Sequence, residues 1–154
     1  DLSHDGRVAC RSGALAVLPH GPVRLLGPVG GVPVQEAALL GHKTSLRATY
    51  DAAVREAEAQ GAFDRLFVNA RGELTEGGRS TLLVKLGGRW YTPPLRAGLL
   101  PGVMRAELMA DPRWGLAERV LSPVDLAHAE ELAVCNALRG VLLVGKPESS
   151  SNYC

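Results

Sequence analysis

The stretch Gly72-Glu73-Leu74-Thr75-Glu76-Gly77-Gly78-Arg79-Ser80 runs directly into the apolar segment Thr81-Leu82-Leu83-Val84. It reads as a short strand, a glycine turn and a second, buried strand. A carboxylate one residue ahead of a Gly-Gly pair, at the mouth of such a strand, is an unusual place for a charge. Glycines accept backbone angles and close approaches that a side chain forbids. Glu76 is therefore expected to face something flat, or something that hugs the backbone, lying against Gly77 and Gly78. The plain alternative is a solvated turn in which Glu76 meets only water.

Outward from that stretch, the punctuation is that of a mixed α+β unit with several short strands and a few helices. Upstream, Phe63–Asn69 reads as a strand, turned back by Asn69-Ala70-Arg71-Gly72 as a hairpin. Before it, 48–60 is Ala-rich, with Tyr50, Val54 and Ala57 at helical spacing and Gly61 as a stop. Downstream, 81–86 and 89–92 form a hairpin across Gly87-Gly88, ended by Pro93-Pro94. Leu99-Leu100-Pro101-Gly102 leads into a helix over 103–110. The order continues as a strand over 116–121, a helix at 124–129 opened by Ser122 as N-cap and Pro123 at N1, and strands at 131–136 and 140–144. Hairpins of this kind argue against a doubly wound parallel sheet.

Residues 1–40 are rich in Gly and Pro. Ala14–Leu18 and Val23–Leu26 read as brief strands, and Gly27–Pro33 as a loop or linker. The tail 145–154 is polar and is predicted to be disordered. With 154 residues, 46% apolar and 21% charged, the chain suits one ordinary globular domain. A formal net charge of +1, with scattered arginines, argues against nucleic acid or an acidic membrane surface as partner. No apolar run approaches the roughly eighteen residues of a membrane span. The three cysteines, Cys10, Cys135 and Cys154, are far apart, so neither a metal site nor a disulfide framework is expected, and a reducing cytoplasm is the default.

The segments His42-Lys43-Thr44, Gly72–Ser80, Tyr91-Thr92-Pro93-Pro94, Gly98-Leu99-Leu100-Pro101-Gly102-Val103 and Cys135-Asn136-Ala137-Leu138-Arg139-Gly140, in this order, carry a resemblance. Together they resemble the large C-terminal domain of the fold-type IV, D-amino-acid-aminotransferase-like, pyridoxal-phosphate enzymes. That group holds branched-chain aminotransferases, D-amino-acid aminotransferases and aminodeoxychorismate lyases. The wording looks closest to the lyase portion that follows an aminodeoxychorismate synthase component I in fused bacterial proteins.

By this resemblance Lys43 is the Schiff-base lysine, and Glu76 is the carboxylate paired with the pyridine nitrogen of pyridoxal 5'-phosphate. Val103 and Met104 are the helix-start residues whose N–H groups hold the phosphate, as helix-terminus physics favours. Asn136 and Ala137 form a second phosphate-contact loop, Leu138 and Arg139 lie towards the substrate, and Arg47 stands near the cofactor. Two positions depart from the pattern: Thr81 is usually Asn, and Ala137 stands where a phosphate-binding hydroxyl is common.

The resemblance implies a lyase that converts 4-amino-4-deoxychorismate to 4-aminobenzoate and pyruvate in folate synthesis. It also implies a homodimer acting on a small molecule in the cytoplasm. The same scaffold serves aminotransferases of branched-chain or D-amino acids, and a truncated, non-catalytic domain is the third reading. The family's smaller N-terminal domain is not recognisable in the chain. Residues 1–40 are accordingly expected to be the edge of that domain, and 41–144 the cofactor-binding large domain, of a longer protein.

Overall fold

A computed structural model describes residues 4–10, 12–15, 17–18, 20–30 and 41–145. The strands are β1 (Leu25–Gly30), β2 (Asp64–Val68), β3 (Leu74–Gly77), β4 (Thr81–Leu86), β5 (Arg89–Thr92), β6 (Ala117–Glu118), β7 (Glu131–Asn136) and β8 (Gly140–Val144). The helices are α1 (Ala48–Ala59), α2 (Val103–Ala110) and α3 (Pro123–His128), with a single 3-10 turn at Leu95–Ala97. The described strands form a three-stranded sheet, β1-β2-β3, and a five-stranded sheet, β6-β5-β4-β7-β8.

Strand β4 is central because its apolar residues are buried on both faces. Leu82, Leu83 and Val84 are each 0% exposed, the continuous apolar pattern of a doubly covered strand. On one face Leu82 and Val84 pack with Leu66 and Leu74 of the smaller sheet, and with Leu121 and Leu132. On the other, Leu83 packs with Ala133 and Cys135 of β7, Leu108 of α2 and Leu116. Full burial of each such side chain contributes roughly 2 kcal/mol. The two sheets are therefore pressed together on one side of β4, while α2 covers the other.

The antiparallel pairs follow the sequence reading. Strands β2 and β3 pair with Leu66 opposite Gly77, and β4 and β5 pair across the Gly87-Gly88 turn. Helix α1 buries Tyr50, Ala53 and Ala57, whereas Val54 is only half-buried. Helix α3 opens as expected, with Pro123 at its first position. There the Asp125 carboxylate accepts both the N–H and the O–H of Ser122, at 2.7 and 2.8 Å.

Three expectations are corrected. Gly27–Gly30, read as loop, lies in β1, which pairs in parallel with β2 and is joined to it through a crossover containing α1. Strand pairing supplies the hydrogen bonds that loop-like composition does not announce. The strand expected over 116–121 shrinks to Ala117–Glu118, paired in parallel with Tyr91 and Thr92. It is short because Leu121 leaves the sheet to accept the Leu74 N–H at the edge of β3. Of the first two predicted strands, the described residues of Ala14–Leu18 are not in a strand, whereas the reading of Val23–Leu26 holds in part: Val23 makes an isolated parallel bridge to Val144, and Leu25 and Leu26 open β1. The predicted disordered tail, apart from Gly145, and Cys154 lie outside the described residues. Among the described residues, no helix is long and apolar enough to cross a membrane.

Candidate active site

Glu76 sits near the end of β3 with 9% of its surface exposed. Its two carboxylate oxygens are held from different elements. The Tyr50 phenol of α1 donates to Oε1 at 3.1 Å, and the Leu100 N–H, from the segment before α2, donates to Oε2 at 3.2 Å. Burial pushes the carboxyl up to about 7, against the opposing pull of Leu100, Tyr50 and the Arg47 guanidinium, while the charge of Asp64 adds to the rise. A buried acid this close to neutrality changes its charge readily when a cation arrives.

The turn after Glu76 is built on Asp64, which is 0% exposed at the start of β2. Its carboxylate accepts the N–H of Gly78 at 2.9 Å, the N–H of Arg79 at 3.0 Å and the O–H of Ser80 at 2.6 Å. It also accepts the Arg65 N–H at 2.8 Å. Burial raises its pKa despite these donors. A Cβ on Gly77 would stand 2.3 Å from Asp64 Oδ2, and one on Gly78 would stand 2.7 Å from Val54 Cγ2. The glycine pair is thus small because the protein's own groups press on it. An aspartate inside the apolar strand Phe63-Asp64-Arg65-Leu66-Phe67-Val68 is the sequence signal that would have found the clamp.

Arg47, just before α1, bonds the Gly78 carbonyl and the Asp51 carboxylate (2.8 Å), and its guanidinium lies 5.7 Å from the centroid of the Tyr50 ring. It therefore ties the start of α1 to the Glu76 turn. Lys43 is exposed on the irregular segment that precedes α1. No hydrogen bond or ion pair among the described residues joins it to Glu76.

At α2, Gly102 is the N-cap and no side chain caps the first turn, so the leading N–H groups lack intrahelical partners. Val103 is 68% exposed there, and Met104 packs inward on the cluster around Leu83, Leu108 and Cys135. A Cβ on Gly102 would stand 3.1 Å from Thr81 Oγ1. Thr81 is the β4 partner of Cys135 on β7, and burial pushes the Cys135 thiol up to about 11.

Beyond Cys135 the chain turns through Asn136–Arg139. The Asn136 Oδ1 accepts the N–H of Leu138 at 3.1 Å and of Arg139 at 2.8 Å, and its amide donates to the Arg79 carbonyl at 3.2 Å. Asn136 is thus spent on shaping the turn, with Ala137 and Leu138 presented to solvent. Thr81 connects this turn to the α2 start, and Leu100 connects α2 to Glu76. Glu76, Arg47, Val103, Met104, Asn136 and Ala137 consequently belong to one contiguous framework.

Two residues besides Asp64 were not found from sequence. Tyr50 looked like a core position of α1, and its hydrogen bond to Glu76 is visible only in the fold. Arg105 of α2 is 5% exposed and bonds the Pro93 carbonyl at 3.1 Å and Glu118 at 2.5 Å. A cavity of about 520 Å³ opens on Arg24, Phe63, Arg79, Asn136, Leu138 and Arg139, and neither Lys43 nor Glu76 lines it. Among the described residues, no three His, Cys, Asp or Glu side chains are grouped as a metal would need.

Known proteins share this architecture. A structure from Mesorhizobium loti, named as a candidate amino-acid aminotransferase, is 33% identical with a TM-score of 0.79, over 94% of this chain and 69% of its own. A candidate 4-amino-4-deoxychorismate lyase from Legionella pneumophila is 27% identical with a TM-score of 0.75, over 87% of this chain and 50% of its own. A Mycobacterium tuberculosis aminotransferase of hypothetical status, in a pyridoxal-phosphate-bound form, shares the fold at 24% identity and a TM-score of 0.73, over 83% of this chain and 48% of its own. By sequence, a Schizosaccharomyces pombe protein named as a candidate aminodeoxychorismate lyase is 28% identical over 97% of this chain and 68% of its own length. An uncharacterised Haemophilus influenzae protein is 28% identical over 53% of this chain, which spans only 42% of that relative. The sequence model of amino-transferase class IV matches residues 24–146, and the chain belongs to that family, with its fold-type IV architecture.

Proposed function

We propose that this chain is the cofactor-holding part of a pyridoxal-phosphate-dependent lyase that cleaves 4-amino-4-deoxychorismate to 4-aminobenzoate and pyruvate. The observation that carries the cofactor reading is Glu76, a buried carboxylate gripped at both oxygens and poised near neutrality. The uncapped start of α2 suits the cofactor's phosphate on the same framework. Lyase chemistry is favoured by the wording of the segments 72–80 and 135–140, and by the names of the Legionella and Schizosaccharomyces relatives.

In this reading the Glu76 carboxylate keeps the pyridine nitrogen protonated, and the cation beside it drives Glu76 to its charged form. The backbone N–H groups of Val103 and Met104 take the phosphate, with the Asn136–Ala137 turn as a second contact. Lys43 holds the cofactor through its amine and, once released, removes the proton from the amine-bearing carbon at Nζ. When bound, pyridoxal phosphate supplies the electron sink for the charge left on that carbon. Arg47 fixes the turn carrying Glu76, while Leu138 and Arg139 border the substrate.

Residues 41–144 are taken as the cofactor-holding unit, to which β1 is joined through β2. A homodimer, a cytoplasmic location and fusion to an upstream chorismate-using synthase belong to the same proposal.

Borohydride reduction of the chain with added pyridoxal phosphate, followed by peptide mapping, should place one adduct on Lys43. Scattered adducts, or none, would remove the cofactor reading. In the intact protein, Lys43→Ala should lower release of 4-aminobenzoate by at least about a hundredfold, and near-normal turnover would refute the assignment. The 33% identity to the Mesorhizobium aminotransferase supports a second reading, transfer of an amino group on the same scaffold. Glutamate formed from an amino acid and 2-oxoglutarate, without release of 4-aminobenzoate, would select it.

A further inference from the structure

The grip on Glu76 has a defined author in the fold. Tyr50 is 7% exposed, and its ring packs on Phe67 of β2 with centroids 4.7 Å apart and planes tilted by 49°. Phe67 is itself 1% exposed. The Arg47 guanidinium stands 5.7 Å from the Tyr50 ring centroid. The ring is therefore confined by its neighbours, and its phenol O–H points at Glu76 Oε1. A glutamate has three side-chain torsions, the last of them broad. A single donor on Oε2, the Leu100 N–H, would still let the carboxylate swing about that contact. The second donor, on the other oxygen and from another element, removes that freedom.

We propose that Tyr50 is the positioning residue for Glu76, holding the carboxylate in the single orientation from which it meets the cofactor's ring nitrogen. The proposal rests on the cofactor reading above and deepens it. Each carboxylate oxygen carries two lone pairs, so Tyr50 and Leu100 orient the group while leaving capacity for a further donor. Tyr50 also ties the first turn of α1 to β3. Because Lys43 lies on the segment leading into α1, the same hydrogen bond couples that segment to the Glu76 strand.

The charged and titratable groups acting on Glu76 are Arg47 before α1, Asp64 on β2 and Tyr50 itself. Replacing Tyr50 by Phe keeps the ring that packs on Phe67 and removes the donor to Glu76. The test is Y50F in the full chain, with two readouts. In the cofactor-free chain, the Glu76 carboxyl is titrated by its ¹³C chemical shift against the unsubstituted chain. Loss of one hydrogen bond to the charged form should raise its midpoint by about one unit. With pyridoxal phosphate added, the pH profile of the bound cofactor's absorption should shift as well, which a purely structural role of Tyr50 would not produce.

Superimposable carboxyl titrations would overturn the proposal, whatever the cofactor does. A shifted carboxyl titration with an unmoved absorption profile of a bound cofactor would also overturn it, since Tyr50 would then hold Glu76 without serving the ring. If neither chain binds the cofactor but the carboxyl titration shifts, the cofactor reading falls, and with it the ring-directed role. The hold on Glu76 itself survives that outcome, so the two failures are distinguishable.

Discussion

The Asp64 carboxylate occupies the space a side chain on Gly77 would need: a Cβ built there falls 2.3 Å from Oδ2 and 2.8 Å from the Ser80 hydroxyl. Asp64 cannot step aside, since it is fully buried and already receives Gly78, Arg79 and Ser80. The glycine and the aspartate are therefore one structural unit, and Glu76 is oriented by the turn they make.

Gly77→Ala should accordingly destabilise the chain by about 2–3 kcal/mol, in the range of overpacking a rigid site. For a domain of this size that corresponds to a loss of roughly 5–10 °C in Tm, measured by calorimetry. Gly72→Ala is the contrasting control, because it meets a positive φ of 73° but no atom within 4 Å. A Gly77→Ala protein as stable as the parent would show that Asp64 does not fill that space.

The pH dependence of stability follows from Glu76. Its folded pKa lies near 7, above the ordinary value of 4.5. Between these limits the native state binds more protons than the unfolded one, so stability falls as pH rises. The contribution is intact below about pH 4.5 and lost as pH passes 7, with a ceiling of about 3 kcal/mol for the 2.5-unit difference. Asp64, also raised by burial, acts in the same sense. Denaturant melts of the cofactor-free chain across pH 5–8 should show the decline. Glu76→Gln should flatten its upper part, and an unchanged slope in that variant would place the titrating group elsewhere.

Arg105 anchors α2 to the Pro93 carbonyl and Glu118, with an Nε that is buried and has no partner. Arg105→Ala should cost about 2–3 kcal/mol, less than breaking a wholly buried pair, because Glu118 is 39% exposed and can be rehydrated. A double-mutant cycle with Glu118→Ala isolates their coupling, expected at about 1 kcal/mol. Additive effects would assign the anchoring to the Pro93 carbonyl alone.

Much of the local structure was legible because local rules govern it. The helix over 103–110 begins and ends where its sequence says, the Gly87-Gly88 hairpin closes as read, and Ser122-Pro123 opens α3. Of the residues read at helical spacing in α1, Tyr50 and Ala57 are buried and Val54 is half-buried, with Ala53 completing the buried face. The short β6 was overextended because apolar alternation cannot tell a ladder partner from an isolated carbonyl such as that of Leu121.

What the sequence by itself determined is the inventory: a mixed α+β order, a glutamate before a glycine pair, a lysine ahead of a helix and a family pattern across these segments. The tertiary structure alone decided that β4 lies between β5 and β7, with Thr81 facing Cys135, and that Tyr50, Asp64 and Leu100 converge on the Glu76 turn. The physical reason is range. Capping, turn and periodicity preferences act over a few residues, whereas a buried carboxylate takes its donors from whichever elements the packed core brings beside it.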